Sequence, residues 1–221
     1  MNDSKINISN IRKAIPKIPG VIWSKHYRNA SILIPLVKIG NDFHLLFEIR
    51  SESIKQGSEV CFPGGRYDKL KDKTERDTAL RETIEELGID ETKIKILGQY
   101  HTLVHHIGML VYTFVGMLKI NSLDELSIDK KEVASVFTLP LSYFKNNHPS
   151  EYKLRLEAKP EIIDDNGNIV TLFPVKELGL PDRYLKPWSS DDHKVIVYKT
   201  PKAVIWGMTA KVVYDFVDSV T

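Results

Sequence analysis

The sequence predicts an α/β protein in which a mixed β-sheet is sandwiched between helices. Strand-like runs of apolar and β-branched residues recur along the chain, two helices are well marked by apolar spacing, and the strand runs are distributed around those helices rather than gathered in one block. With 221 residues, 42% of them hydrophobic, the chain can bury one substantial core, and a single domain over residues 1–221 is expected.

Taken in order, residues 7–15 read as a short amphipathic helix, with Asn7 or Ser9 as cap, Ile8, Ile11 and Ile15 apolar, and an end near Pro16. Residues 16–20 read as a linker. Residues 30–37 predict a buried strand interrupted at Pro35, and the turn Gly40-Asn41-Asp42 joins it in a hairpin to a second strand from Phe43 to Ile49. Arg50 to Ser58 is polar and reads as a loop, followed by a short strand from Glu59 to Phe62 that Pro63-Gly64-Gly65 breaks. Thr74-Glu75-Arg76-Asp77 resembles a capping box and Gly88 is a C-terminal stop, so a helix is expected between them. Its Leu80, Ile84 and Leu87 are spaced to pack on the core.

Further strands are expected at 93–99, 109–118, 131–139, 152–158 and 195–198, with a short helix opened by Pro140. Asp164-Asp165-Asn166-Gly167-Asn168 is a turn signal within an insertion or lid candidate, 160–193, that carries Arg183, Tyr184, Pro187 and Trp188. From Ile205 a closing helix places Met208, Val212, Tyr214, Phe216 and Val217 at core spacing.

Composition narrows the function. Lys and Arg number 31 against 29 Asp and Glu, a formal +2 that gives no bulk reason to bind nucleic acid or a membrane surface. The single cysteine, Cys61, excludes an internal disulfide framework and sits in the apolar run Val60-Cys61-Phe62, where it reads as core filling. No run approaches a membrane span and the first residues lack an apolar core of signal-peptide length, so a cytoplasmic protein is expected, with a homodimer allowed. His101, His105 and His106 lack a ligand spacing and read as turn or core residues.

The informative stretch runs from Phe62 to Ile89. In helical geometry Glu82, Glu85 and Glu86 stand at i, i+3 and i+4 on one face, where each like-charge pair costs roughly 0.2–0.5 kcal/mol. A cation that neutralises them is a physical reason to keep them together. The bland alternative is a charged solvent face. Gly64-Gly65 just upstream allows close approach of backbone to a phosphate or a metal.

Arg81-Glu82-Thr83-Ile84-Glu85-Glu86-Leu87-Gly88-Ile89, preceded by Gly64-Gly65, resembles the Nudix box, here spanning about 64–89. Thr83 stands where an aliphatic is usual, Asp72 takes the place of the upstream glutamate, and Gly65 is further from Arg81 than in the family pattern. Leu45 to Ser51, Lys55 and Ser58 to Gly65 are similar to the signature of the coenzyme A diphosphatase subfamily, as is Trp206-Gly207-Met208-Thr209-Ala210. The loop between Lys55 and Phe62 is shorter than in that signature, and Gly57-Ser58 departs from its usual order.

The resemblance implies a Nudix-type α/β/α sandwich and a small-molecule substrate, a nucleoside diphosphate linked to another moiety. It implies Glu82, Glu85, Glu86 and Arg81 as catalytic residues, Glu82, Glu86 and the Gly65 carbonyl as ligands for Mg²⁺ or Mn²⁺, and Arg50, Lys55, Gly64 and Gly65 as substrate contacts. The expected reaction is hydrolysis of coenzyme A or acyl-coenzyme A to 3′,5′-ADP and a phosphopantetheine. An ADP-ribose or dinucleotide pyrophosphatase is the alternative enzyme, and a non-catalytic module binding a nucleotide or a protein is the alternative of another class. The general base varies in the family between a box glutamate and a residue of a later loop; Glu132 is a candidate, although Lys130-Lys131-Glu132 also reads as a solvated charge run.

Overall fold

A strand buried on both faces needs partners on both edges, and residues 28–39, rich in Ile, Leu and Val, supply that strand. The computed structural model describes residues 8–17, 20–189 and 192–220. Strand β1 (Arg28–Ile39) turns at Gly40, which adopts φ 60°, into β2 (Asp42–Arg50), with Ile39 opposite Asp42. Around them lie β3 (Val60–Cys61), β4 (Gly64–Arg66), β5 (Ile94–His105), β6 (Met109–Leu118) and β7 (Val133–Pro140). These form a 7-stranded sheet with the path β3-β2-β1-β6-β5, to which β4 adds at β1 and β7 at β2. The β1–β6 pair is parallel and the other pairs are antiparallel, so the sheet is mixed.

Alternation along the central strands sends side chains to two cores. Ile34, Leu36, Leu45 and Phe47 face one side, where they meet α3 (Leu141–Asn146) through Phe144 and α4 (Gly207–Val220) through Ala210, Val212, Val213, Phe216 and Val217. Leu33, Val37 and Leu46 face the other, where they meet Ala79 and Leu87 of α2 (Glu75–Leu87). The architecture is therefore the expected α/β/α sandwich. Phe47 anchors the first core, stacked at 5.0 Å on Phe62 and 5.3 Å on Phe137, contacts worth about 0.5–1.5 kcal/mol each beyond buried area.

Later strands are small: β8 (Ser150–Leu154), β9 (Glu157–Ala158), β10 (Glu161–Ile163), β11 (Ile169–Thr171), β12 (Trp188–Ser189), β13 (His193–Lys199) and β14 (Val204–Trp206). They pair as β14-β13-β8, β10-β11 and β12-β9, and the β10–β11 turn is closed by Asp164, whose Oδ1 accepts from the N–H groups of Asn166 and Asn168.

Several expectations are corrected. Pro35 does not interrupt β1, because it falls between Ile32, the last residue paired with β4, and Leu36, the first paired with β2, so its missing N–H costs neither ladder a bond. Gly64-Gly65 does not end the sheet but continues it as β4. β5 runs on to His105 because register shifts at Ile96/Gly98 and Gln99/Thr102 carry it past a polar stretch that hides its alternation. Ile205 and Trp206 belong to β14, and Tyr214 is half exposed on α4, where Val213 takes the core position. The helix α1 (Ile8–Ala14) contains Ser9 rather than being capped by it, and Asn7 lies outside the described residues.

Candidate active site

Local chemistry fixes helix α2 at both ends. The Thr74 side chain accepts from the Asp77 N–H at 3.3 Å and Asp77 Oδ2 accepts from the Thr74 N–H at 3.0 Å, a reciprocal cap worth about 0.5–2 kcal/mol. Gly88 stops the helix at φ 58°, ψ 36°, and a side chain there would strike the Ser127 backbone.

The buried face of α2 is Thr78, Ala79, Thr83, Glu86 and Leu87. Leu80 and Ile84, expected in the core, are instead half-buried in a shallow depression of about 260 Å³ beside Arg81 and Glu85. The three glutamates accordingly do not share one exposed face: Glu86 is buried, Glu82 is partly buried, and Glu85 is exposed. Of the expected stripe Leu87 is in the core, while Leu80 and Ile84 give way to a carboxylate and two threonines on the enclosed face. Thr83, in the place of an aliphatic, is buried with its hydroxyl donating to the Ala79 carbonyl at 2.7 Å, so nothing polar is left unpaired.

Arg81 is the hub. Its Nε and Nη2 donate to the two oxygens of Asp72 at 2.8 and 2.9 Å, and its Nη1 to Glu82 Oε1 at 2.8 Å and Glu85 Oε2 at 3.1 Å. Asp72 is buried and also accepts from the Asp68 N–H and the Thr78 hydroxyl, so its carboxyl is held well below the ordinary range, chiefly by Arg81. The departure at Asp72 thus keeps a carboxylate behind Arg81, and Arg81 fixes Glu82 and Glu85 in turn.

The glycines are set by this packing. Glu86 Oε2 accepts from the Gly64 N–H at 2.8 Å, and the Glu82 carboxylate occupies the space a Cβ on Gly65 would need. A Cβ on Gly64 would press on the Ser31 carbonyl and lie 2.7 Å from the Ile32 Cα, which excludes a side chain. Burial pushes the Glu86 carboxyl up to about 8, with Glu82 and Glu132 adding to the shift and the Gly64 N–H opposing it. Glu82 is also raised by burial, an effect Arg81 reduces.

The fold brings Arg50 and Glu132 to the same place. Ser51 N–H donates to the Glu132 carbonyl at 2.8 Å, tying the loop after β2 to the turn before β7. Glu132 then lies near enough to raise Glu48, Glu82 and Glu86, and Arg50 near enough to lower Glu48 and Glu86. Lys55 remains exposed further along the loop, its carbonyl accepting a long 3.4 Å contact from Arg50 Nε.

Sequence reading assigned no role to Glu48, a fully buried carboxylate in β2, although a charge inside Leu45-Leu46-Phe47-Glu48-Ile49 was a usable signal. Cys61 pairs with it in register, and burial, Glu48 and Glu86 all push the thiol up, the opposite of what a nucleophile needs. The rings of His105 and His106 lie tilted with centroids 4.1 Å apart, and His106 meets His193 at 4.5 Å in a separate cluster.

The sequence pattern of the NUDIX domain matches residues 28–156, from the start of β1 to just beyond β8. The chain belongs to the Nudix family. It is 37% identical over 123 residues to the peroxisomal coenzyme A diphosphatase NUDT7 of Mus musculus, covering 55% of this chain and 50% of that protein. It is 34% identical over 133 residues to the peroxisomal coenzyme A diphosphatase ndx-8 of Caenorhabditis elegans, covering 58% and 56%. The chain therefore spans about half the length of these relatives. A Nudix hydrolase, NudL of Photorhabdus laumondii, is 29% identical over 197 residues, covering 89% of this chain and 87% of that protein.

Nudix hydrolases work with divalent cations, and the donors here suit one: oxygen ligands on Glu82 and Glu86, the Gly65 backbone against Glu82, and a buried Glu48 oxygen without a partner. As they stand, no three His, Cys, Asp or Glu side chains among the described residues converge on one point, because Glu82 is turned to Arg81 and Glu86 to Gly64. No helix among the described residues is long and apolar enough to cross a membrane.

Proposed function

We propose that this Nudix protein hydrolyses the diphosphate bond of coenzyme A or acyl-coenzyme A, giving 3′,5′-ADP and (acyl-)phosphopantetheine, and that residues 1–221 act as one unit in doing so. The observation that supports hydrolysis is the seating of Glu82 and Glu86 against Gly64 and Gly65 at one end of the sheet. The substrate rests on the names of the two relatives at 37% and 34% identity.

Glu82, Glu86 and the Gly65 carbonyl would hold Mg²⁺ or Mn²⁺, a choice that follows from hard oxygen donors. A cation held by these residues would supply charge neutralisation at the diphosphate and a lowered pKa for bound water. The remaining work falls to the chain. Arg81, anchored by Asp72, holds Glu82 in place, and Glu85 acts through Arg81 or through water. Arg50 and Lys55 offer charge to the substrate phosphates, with Gly64 and Gly65 allowing close approach. Glu132 takes the proton of the attacking water as its oxygen bonds to phosphorus and the bridging P–O bond breaks, the leaving phosphate carrying the electron pair.

A hydrolysis panel of coenzyme A, acyl-coenzyme A, ADP-ribose and NADH with Mg²⁺ or Mn²⁺ tests the reading. Preferred cleavage of coenzyme A or its acyl form to 3′,5′-ADP is the expected result; preferred cleavage of ADP-ribose or NADH replaces the substrate assignment. For Lys55→Ala, a loss on coenzyme A greater than on dephospho-coenzyme A is expected if Lys55 reads the 3′-phosphate, and equal losses argue against that role.

A further inference from the structure

Glu48 is a physical problem that the helix carboxylates do not solve. It lies in the middle of β2, between Phe47 and Ile49, with none of its surface exposed. Its Oε1 has no hydrogen-bond partner among the described residues, and its Oε2 has the Cys61 thiol at 3.8 Å, a weak donor at long range. Burying a carboxylate without donors or a cation costs several kcal/mol, so a protein that keeps one has a use for it or carries it neutral.

The fold sets its surroundings. Glu48 is paired across β2–β3 with Cys61, and the chain runs from Cys61 through Phe62 and Pro63 to Gly64, whose N–H holds Glu86. Glu48 and Glu86 each bear on Cys61, and Glu86 raises Glu48, so the two carboxylates act on one another from opposite elements, one on the sheet and one on α2. The charges facing Glu48 are Glu86 and Glu132 on the acidic side and Arg50 on the basic side. Arg81, the other arginine beside the glutamates, is already engaged by Asp72, Glu82 and Glu85.

We propose that Glu48 is a member of the divalent-cation site, a carboxylate supplied by strand β2 that faces the cation from the sheet while Glu82 and Glu86 face it from the helix. The inference rests on the cation-site reading above. It explains why an oxygen in the apolar floor of the site is left without a hydrogen bond: its partner is the ion. A neutral Glu48 serving only as a buried polar side chain is the competing account, and the two differ in what glutamine does. Glutamine keeps the shape and a donor but removes the charge.

The test is binding of Mn²⁺ to the metal-stripped full chain, read as free Mn²⁺ by electron paramagnetic resonance and requiring no substrate. Wild type, Glu86→Gln, Glu48→Gln and Glu48→Met are titrated side by side, with circular dichroism confirming folding; the methionine variant removes the carboxylate without leaving a polar group to satisfy. Glu86→Gln and either folded Glu48 variant should weaken binding by about tenfold or more. If Glu86→Gln weakens binding and a folded Glu48 variant stays within about twofold of wild type, the role of Glu48 is overturned while the cation site stands. If Glu86→Gln and the Glu48 variants all bind as wild type does, the cation site itself fails, and Glu48 with it.

Discussion

Residues 64–88 and residues 157–189 both lie outside the central strands, yet they are held by opposite means. The first is pinned by buried polar contacts: the Asp72–Arg81 pair, the Gly64 N–H on Glu86, the Thr83 hydroxyl on Ala79, and a cap at each end of α2. The second has four short strands whose residues are all exposed, with Ile163 74% and Ile169 71% open to solvent. Its aromatics pack on one another, Tyr184 on Trp188 at 5.4 Å and Arg183 over the Tyr184 ring, and Val175 is an exception in being buried. The difference shows where side chains are fixed by buried polar contacts in this molecule. Around Arg81 the charged groups lock one another, whereas the insertion is held largely by its own contacts.

The largest effect should come at the centre of the locked region. Glu86→Gln is expected to lower turnover on any accepted diphosphate by at least about 10²-fold, since loss of the proposed cation contact would remove several kcal/mol of transition-state stabilisation; steady-state kinetics with saturating Mn²⁺ measures it. Asp72→Asn leaves the partly buried Arg81 without its strongest partner and should cost about 3 kcal/mol in denaturant unfolding. The same pair sets a pH dependence. Because the folded-state pKa of Asp72 is depressed, its contribution is present above the unfolded value of about 3.9 and is lost as pH falls through and below it, so acid unfolding should be steeper for wild type than for Asp72→Asn in that window.

Gly64→Ala should cost about 1–3 kcal/mol, because the added methyl meets backbone of Ser31 and Ile32 rather than a side chain that can turn away. At the small end, Ile163→Thr and Ile169→Thr should change stability by less than about 0.5 kcal/mol despite removing large apolar groups. A cost above about 2 kcal/mol at either position would mean that the insertion is buried against something in solution, and the contrast between the two regions would fall.

Much of the central fold was legible because local signals agreed with it. The β1–β2 hairpin, β6, the cap of α2 and its glycine stop all follow from turn residues, alternation and capping chemistry. The Nudix box was legible for the same reason, its residues being close in sequence. What sequence hid was long-range. Glu132 reaches the glutamates through a hydrogen bond between Ser51 and its own carbonyl, which no spacing announces. Glu48 sat inside a strand read only for its apolar neighbours. The buried stripe of α2 was misread because periodicity weighs Leu80 and Ile84 above Thr83 and Glu86, although the latter pair is the one enclosed. In the insertion the turn at Asp164 formed as local propensity directs, but the pairings β9–β12 and β8–β13, which span it, join segments that local patterning does not connect.

The parallel pairing of β1 with β6 has a consequence for how the chain reaches this structure. Arg28 lies opposite Met109 and Val37 opposite Leu118, so the centre of the sheet closes only after a long intervening segment has been brought round. Pairing of that kind carries a loop-closure cost before any contact rewards it, and proteins dominated by it fold slowly for their size. The β1–β2 and β5–β6 hairpins join near neighbours, whereas docking of β1 on β6 brings together residues far apart in sequence and carries the loop-closure cost. Until it occurs, the inner edge of each hairpin stays open, and during synthesis that interval lasts at least until the residues of β6 have left the ribosome.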